Sequence, residues 1–187
     1  MPQWFQYTRP NGSLMPRHTA WYTKNPCSCV YKYGSFVVPR TPFSPLIQHI
    51  AFALEAKLHL PANYLNSCNA NMYSHSKHSV DWHSDNEILF GRPNTESNIV
   101  SVSFGASREF SIRSVPKTDH KMQSIVLNEG DVLTMEGQFQ WEFQHAILPG
   151  PQCPDKARIN LTFRNICHHF KDCELSIFND NSHKSHS

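Results

Sequence analysis

The chain has 187 residues, 39% of them hydrophobic, which is enough for one sizeable core and too few for two. Lysine and arginine number 17 against 15 aspartates and glutamates, and the net charge of +2 is too small to indicate nucleic-acid binding by bulk charge, so any basic groove must come from local arrangement. No apolar run reaches the roughly 20 residues of a membrane helix, and MPQWFQYTRPNGS lacks the charged-then-apolar pattern of a signal peptide; both predict a soluble, unexported protein with no membrane partner.

In chain order, the first segments with strand character are MPRHTAWY (15–22) and CVYKYGSF (29–36). Their aromatics Trp21, Tyr22, Tyr31 and Tyr33 suit strands that pack a core. A helix follows, with Ser44 as N-cap, Pro45 at the first helical position, and Leu46, Ile47, Ile50, Ala51, Leu54 and Leu58 as an apolar stripe that should brace a sheet. From residue 99 the pattern turns to short strands: IVSVSFG, REFSIRSV, MQSIVLN, DVLTMEG and RINLTFRN, punctuated by NEGD and PGPQCPDK. Many short strands with turns predict a mainly β, α+β domain built as a sandwich or barrel. After Cys167 the periodicity is lost, so residues 1–170 read as one domain and the Ser-, Asn- and His-rich residues 171–187 as a weakly ordered tail.

Chemistry concentrates between residues 83 and 164. His83 and Asp85 are two apart, so on a strand they share a face, and His145 is the natural third member from a distant strand. Two imidazoles and a carboxylate hold non-haem Fe(II) on one face of an octahedron and leave the remaining positions for a co-substrate and O2. With 12 histidines in the chain a bare His-x-Asp is weak, and ARINLTFRN strengthens it. On a strand Arg158, Asn160, Thr162 and Arg164 fall on one face and Ile159, Leu161 and Phe163 on the other. Two arginines facing inward are costly to desolvate unless they meet anions, and a guanidinium fork matches a carboxylate. A dicarboxylate such as 2-oxoglutarate fits that face.

The six cysteines make neither paired C-x-x-C knuckles nor a dense disulfide framework, which predicts reduced thiols in cytosol or nucleus. Cys167-His168-His169 with Cys173 has zinc-ligand chemistry but no second cysteine pair nearby, and reads as tail.

The stretches NMYSHSKHSVDWHSDNE, SVSFGASREFSIR, LTMEGQFQWEFQHAILP and RINLTFRN resemble the AlkB family of Fe(II)/2-oxoglutarate-dependent nucleic-acid demethylases, in the family's order and over residues 15–166. The resemblance implies a double-stranded β-helix, or jelly roll, with supporting helices and an N-terminal nucleotide-recognition lid over about residues 15–40. It implies iron on His83, Asp85 and His145, and 2-oxoglutarate held by Asn71, Tyr73, Arg158 and Arg164, with Asn160 on the same face; Arg158 would meet the distal carboxylate and Arg164 the metal-proximal end. The cofactors are then Fe(II), 2-oxoglutarate and O2, with ascorbate as reductant in vitro. The implied reaction removes N-methyl groups of the 1-methyladenine and 3-methylcytosine class from single-stranded DNA or RNA, releasing succinate, CO2 and formaldehyde, with the protein acting as a monomer.

For the substrate, the resemblance places Tyr33 opposite the ring of His83 as the sandwich for a flipped base, with Tyr31 beside it and Arg17 and Lys32 near phosphates. Where close relatives read H-S-D-D-E, this chain reads His83-Ser84-Asp85-Asn86-Glu87, so Asn86 brings no negative charge to a cationic base. Duplex-opening relatives insert an apolar finger where this chain has Ser13-Leu14-Met15, which favours single strands. The family usually carries further residues ahead of this segment. The rival readings are an oxygenase acting on a protein or on a neutral modified base, and a non-catalytic binder of methylated nucleic acid.

Overall fold

The β-prone segments assemble into two facing sheets in the computed structural model, which describes residues 3–33, 36–91, 97–115, 122–150 and 156–176. The strands are β1 (His18–Thr23), β2 (Tyr31–Tyr33), β3 (Phe36–Val38), β4 (Arg40–Pro42), β5 (Ser67–Tyr73), β6 (Val80–His83), β7 (Ile99–Gly105), β8 (Arg108–Ser114), β9 (Met122–Leu127), β10 (Val132–Met135), β11 (Phe143–Ile147) and β12 (Arg158–Arg164), with helices α1 (Pro45–Lys57) and α2 (Phe139–Glu142). The larger sheet runs β10-β7-β12-β5-β1-β4 and the smaller β6-β11-β8-β9, with β2 and β3 as a separate hairpin. The pairings inside the two sheets are antiparallel except β1 with β4. This is the jelly-roll architecture that the family resemblance implies and one form of the sandwich that the strand pattern predicts.

Strand β12 sits inside the larger sheet, paired with β5 on one edge and β7 on the other. Its alternation separates two environments. Leu161 and Phe163 join Ala20, Tyr22, Cys68, Ala70 and Val102 in a core packed against Ile47, Ala51 and Leu54 of α1. The opposite face looks into the space between the sheets, where Tyr73, Ile99, Met135, Val80, Phe110 and Ile147 form a second core.

α1 begins as its capping residues dictate. The Ser44 side chain accepts from the Ile47 N–H, and Pro45 occupies the first turn, where a missing N–H costs nothing. Leu46 departs from the predicted stripe and is 67% exposed. Ile47, Ile50, Ala51 and Leu54 follow the i, i+3, i+4, i+7 spacing of one face, and Leu46 lies about 100° away from Ile47. α1 is the one helix of supporting length among the described residues, since α2 spans 4 residues.

Two boundaries change. His18–Thr23, read as part of the lid, is a strand of the larger sheet, buried at five of its six positions, so the hairpin β2–β3 is what remains outside the sheets. At the other end, residues 171–176 are not a loose tail but turns that return to the body and bury Cys173; residues 177–187 lie outside the described residues. Among the described residues no helix is long and apolar enough to cross a membrane.

Candidate active site

β6 and β11 are neighbours, and their register sets His83 directly opposite His145, with an irregularity between His145 and Ile147. The two imidazole centroids are 4.3 Å apart. Asp85 joins them by a route different from the same-face argument, because β6 ends at His83 and Asp85 lies two residues past it. Ser84 donates through Oγ to the Phe143 carbonyl at 2.9 Å, and the Asp85 N–H donates to Gln140 Oε1 at 2.8 Å. These bonds turn the carboxylate back toward the histidines. Its two oxygens are each 3.7 Å from an imidazole Nε2, Oδ1 from His83 and Oδ2 from His145.

The protonation states suit ligands. Burial pushes the His145 imidazole down to about 4, despite the opposing pull of Asp85, and burial also lowers His83. His83 Nδ1 donates to the Asp81 carbonyl at 2.8 Å, which leaves Nε2 unprotonated and facing Asp85. Burial would raise Asp85, but Arg164, His145 and His83 outweigh it and hold the carboxyl at about 2. The Arg164 guanidinium lies 2.7 Å from Asp85 Oδ2. Burial would lower Arg164, and the carboxylates of Asp85 and Glu87 raise it instead.

The larger sheet supplies the rest of the cavity wall, including Arg158, Asn160, Thr162 and Arg164 from β12, Asn69, Asn71 and Tyr73 from β5, and Ser101 from β7. Arg158 is 1% exposed. One of its terminal nitrogens donates to Ser103 Oγ at 2.9 Å, and its guanidinium lies 5.5 Å from the centre of the Tyr73 ring. Its Nε and Nη1 have no hydrogen-bond partner among the described residues. A buried cation with open donors costs several kcal/mol, and an anion in the cavity would relieve it. Gly105, just across the sheet, keeps this end closed: at φ +82° it lies so near the next strand that an added Cβ would meet the Ala157 carbonyl oxygen at 2.5 Å.

Several expected residues are placed differently. Asn160 lines the cavity, but its amide nitrogen already donates to Ser101 Oγ at 2.6 Å and the Val102 carbonyl at 3.2 Å, and its oxygen accepts from Thr162. It shapes the wall and has no N–H left for a carboxylate. Asn71 accepts from Arg17 Nε at 2.9 Å through Oδ1, so its amide N–H group is the donor it can offer. Arg17 is 8% exposed and lines the cavity, so it does not lie on the surface where a phosphate backbone would pass. Lys32 stands over the Phe170 ring, 5.0 Å from its centre.

Tyr31 lines the same cavity with one ring face stacked on Trp21 and its hydroxyl donating to Glu87. Burial raises its hydroxyl well above the usual phenol range. Glu87 and the exposed Asn86 border an adjoining cleft with Gly91 and Trp141. Burial raises the Glu87 carboxyl although Arg164 opposes it. Tyr33 ends β2 opposite Phe36, and its side chain, with the sandwich expected against His83, lies outside the described residues. In the segment read as a wedge, Leu14 is 58% exposed while Met15 is 4% exposed, so Leu14 is the one apolar side chain there that protrudes.

Sequence reasoning missed Gln140, 2% exposed between Asp85 and Met135, and Arg108, which donates to the carbonyls of His78 and Leu148 and lies 5.6 Å from the Tyr73 ring centre. Neither carries a motif. A buried polar residue in a short helix and a charge at a strand start become visible only when the sheets meet.

Two facing antiparallel sheets with a His-Asp-His group and buried arginines between them define a jelly-roll metal oxygenase. A family model, the 2OG-Fe(II) oxygenase superfamily, matches residues 2–164, and the chain belongs to that family. The chain is similar to the human alpha-ketoglutarate-dependent dioxygenase alkB homolog 3, at 34% identity over 159 residues, 81% of this chain and 52% of the relative. It is 33% identical over 128 residues to the DNA oxidative demethylase ALKBH2 of Arabidopsis thaliana, covering 57% of this chain and 40% of that protein. The chain thus spans about half the length of the first of these curated relatives and less of the second. The solved structure of OsALKBH1 superposes with a TM-score of 0.62 at 21% identity, over 88% of this chain and 85% of that one, and shares the fold.

The family uses Fe(II), 2-oxoglutarate and O2. The residues present fit that set: His83, Asp85 and His145 offer ligand atoms within 4.8 Å of one another, and Arg158 offers unpaired buried donors to a carboxylate.

Proposed function

We propose that this protein is an oxidative N-demethylase of nucleic-acid bases, acting on the 1-methyladenine and 3-methylcytosine class in single-stranded DNA or RNA. Bound iron, with 2-oxoglutarate and O2, supplies the oxidation of the N-methyl group; the balance is one O2 and one 2-oxoglutarate consumed for one succinate, one CO2 and one formaldehyde released with the unmodified base. His83, Asp85 and His145 hold the metal, with neutral imidazoles and an ionised carboxylate that need no proton release before binding. Arg158 and Tyr73 hold the distal carboxylate, Asn71 contributes a donor, and Arg164 fixes Asp85 and the metal-proximal end. The observation that carries this reading is the unpaired guanidinium of Arg158 in the same cavity as the His-Asp-His group.

The names of the relatives, which include a DNA oxidative demethylase, support the substrate class. The base enters beneath the β2–β3 hairpin, with Tyr33 as the stacking ring, and the single protruding Leu14 supports single strands over duplexes. Asn86 and Glu87, at the adjoining cleft, contact the exocyclic side of the base, and Asn86 shifts preference from cationic toward neutral methylated bases. The protein acts as a monomer in nucleus or cytoplasm.

The deciding experiment measures succinate and formaldehyde release with Fe(II), ascorbate and 2-oxoglutarate on single-stranded oligomers carrying 1-methyladenine or 3-methylcytosine, beside His83→Ala. Base repair that vanishes in His83→Ala is expected. Succinate without base repair would move the substrate to a protein or a neutral base, which Asn86→Asp then tests by the ratio of activities on the two base types. Neither product, in folded and iron-loaded protein, would leave only binding.

A further inference from the structure

Outside the His-Asp-His group, two segments about 140 positions apart meet at four soft ligand atoms. Cys27 and Cys29 precede β2, and His169 and Cys173 belong to the turns after β12. The three thiols are 2–3% exposed. His169 Nδ1 lies 3.6 Å from Cys27 Sγ, 3.6 Å from Cys29 Sγ and 3.4 Å from Cys173 Sγ, and the sulfurs of Cys173 and Cys27 are 3.9 Å apart. All four atoms lie within 4.8 Å of one another.

The four separations of 3.4–3.9 Å match edges of a metal-centred tetrahedron. With metal–sulfur bonds of roughly 2.3 Å and metal–nitrogen bonds of roughly 2.05 Å at tetrahedral angles, sulfurs stand about 3.8 Å apart and sulfur and nitrogen about 3.6 Å. Burial alone does not account for the gathering, because thiols are weak donors and weak acceptors and gain little from one another. The surroundings also suit a thiolate: the Ser28 N–H donates to Cys173 Sγ at 3.4 Å.

We propose that Cys27, Cys29, His169 and Cys173 form a structural zinc site that ties the C-terminal turns to the base of the β2–β3 hairpin. Three thiolates and an imidazole select zinc over harder cations, and four protein ligands leave no open position, so the site is structural and takes no part in oxidation. Cys167 is outside it: exposed, with its sulfur 3.8 Å from the Leu89 carbonyl oxygen. The site's consequence is positional. Trp21 Nε1 donates to the Cys29 carbonyl at 2.8 Å and stacks on Tyr31, so the metal would fix the loop from which the hairpin leaves the sheet.

The test uses the full chain, reduced and metal-free, titrated with Co2+. Sulfur-to-cobalt charge-transfer absorption with intense tetrahedral d–d bands is expected, a signature the His-Asp-His group cannot give because it has no sulfur. His83→Ala and Cys167→Ser should keep the bands, and Cys29→Ser should lose them. As a check that needs no variant, one equivalent of Zn2+ should shield three of the six thiols from alkylation. Cobalt absorption without a sulfur band in the reduced wild-type chain, unshielded thiols, or loss of the bands in Cys167→Ser would each overturn the assignment.

Discussion

His83, Asp85 and His145 surround an opening between two sheets, whereas Cys27, Cys29, His169 and Cys173 close on one another beside a hairpin. Both are groups of three or four side chains within 4.8 Å. The first is built from hard and borderline donors, includes a charge that Arg164 balances at 2.7 Å, and leaves room for more ligands. The second is rich in sulfur and contains no carboxylate or guanidinium. A site that must bind co-substrate and oxygen keeps vacancies and stores electrostatic asymmetry; a site that only joins segments fills its coordination shell.

The largest effect separating the two should come from Arg164→Met. It leaves the buried Asp85 carboxylate without its partner, and breaking such a pair costs about 3–5 kcal/mol, read as a fall in stability by denaturant unfolding of the metal-free chain. The cobalt–sulfur bands at the cysteine site should survive, and their loss would mean the two regions are not independent.

Arg158→Met should act in the opposite sense on stability, because it removes a buried cation whose Nε and Nη1 are unpaired. Unfolding should shift little or upward, while the KM for 2-oxoglutarate rises by about 10–100-fold, as expected for loss of hydrogen bonds to a charged group. A stability loss as large as that of Arg164→Met would show that the guanidinium is satisfied without an anion.

The smallest effect is expected from Gln140→Leu. The Asp85 N–H then lacks its acceptor at 2.8 Å, and removing an outer-shell partner should weaken iron binding by about 10-fold, measured by competition with a chelator. Unchanged iron affinity would mean that Ser84 and Arg164 alone orient the carboxylate.

What the sequence revealed tracks the range of the contacts. The alternation in RINLTFR needs only a pleat, and the structure keeps both its faces; Ser44 and Pro45 start α1 through bonds within one turn. Lone strand periodicity misled at Asp85, where the strand ends at His83 and a glutamine from α2 finishes the turn. The aromatics of His18–Thr23 mark a strand that packs a core, and what local pattern does not show is that this strand pairs with β5 in the larger sheet and so leaves the lid. The inward turn of Arg17 depends on Asn71, 54 positions away, and the cysteine cluster on segments about 140 apart. Such partners are set by topology, which local pattern does not contain.

The place of β12 has a dynamic consequence. It is hydrogen-bonded along both edges, in register over seven residues with β5 and six with β7. Its amides can exchange with solvent only when the sheet itself opens, so protection at Asn160 and Thr162 should approach the global limit. The arginines that would receive the co-substrate are therefore mounted on backbone expected to be among the slowest to exchange of the described residues.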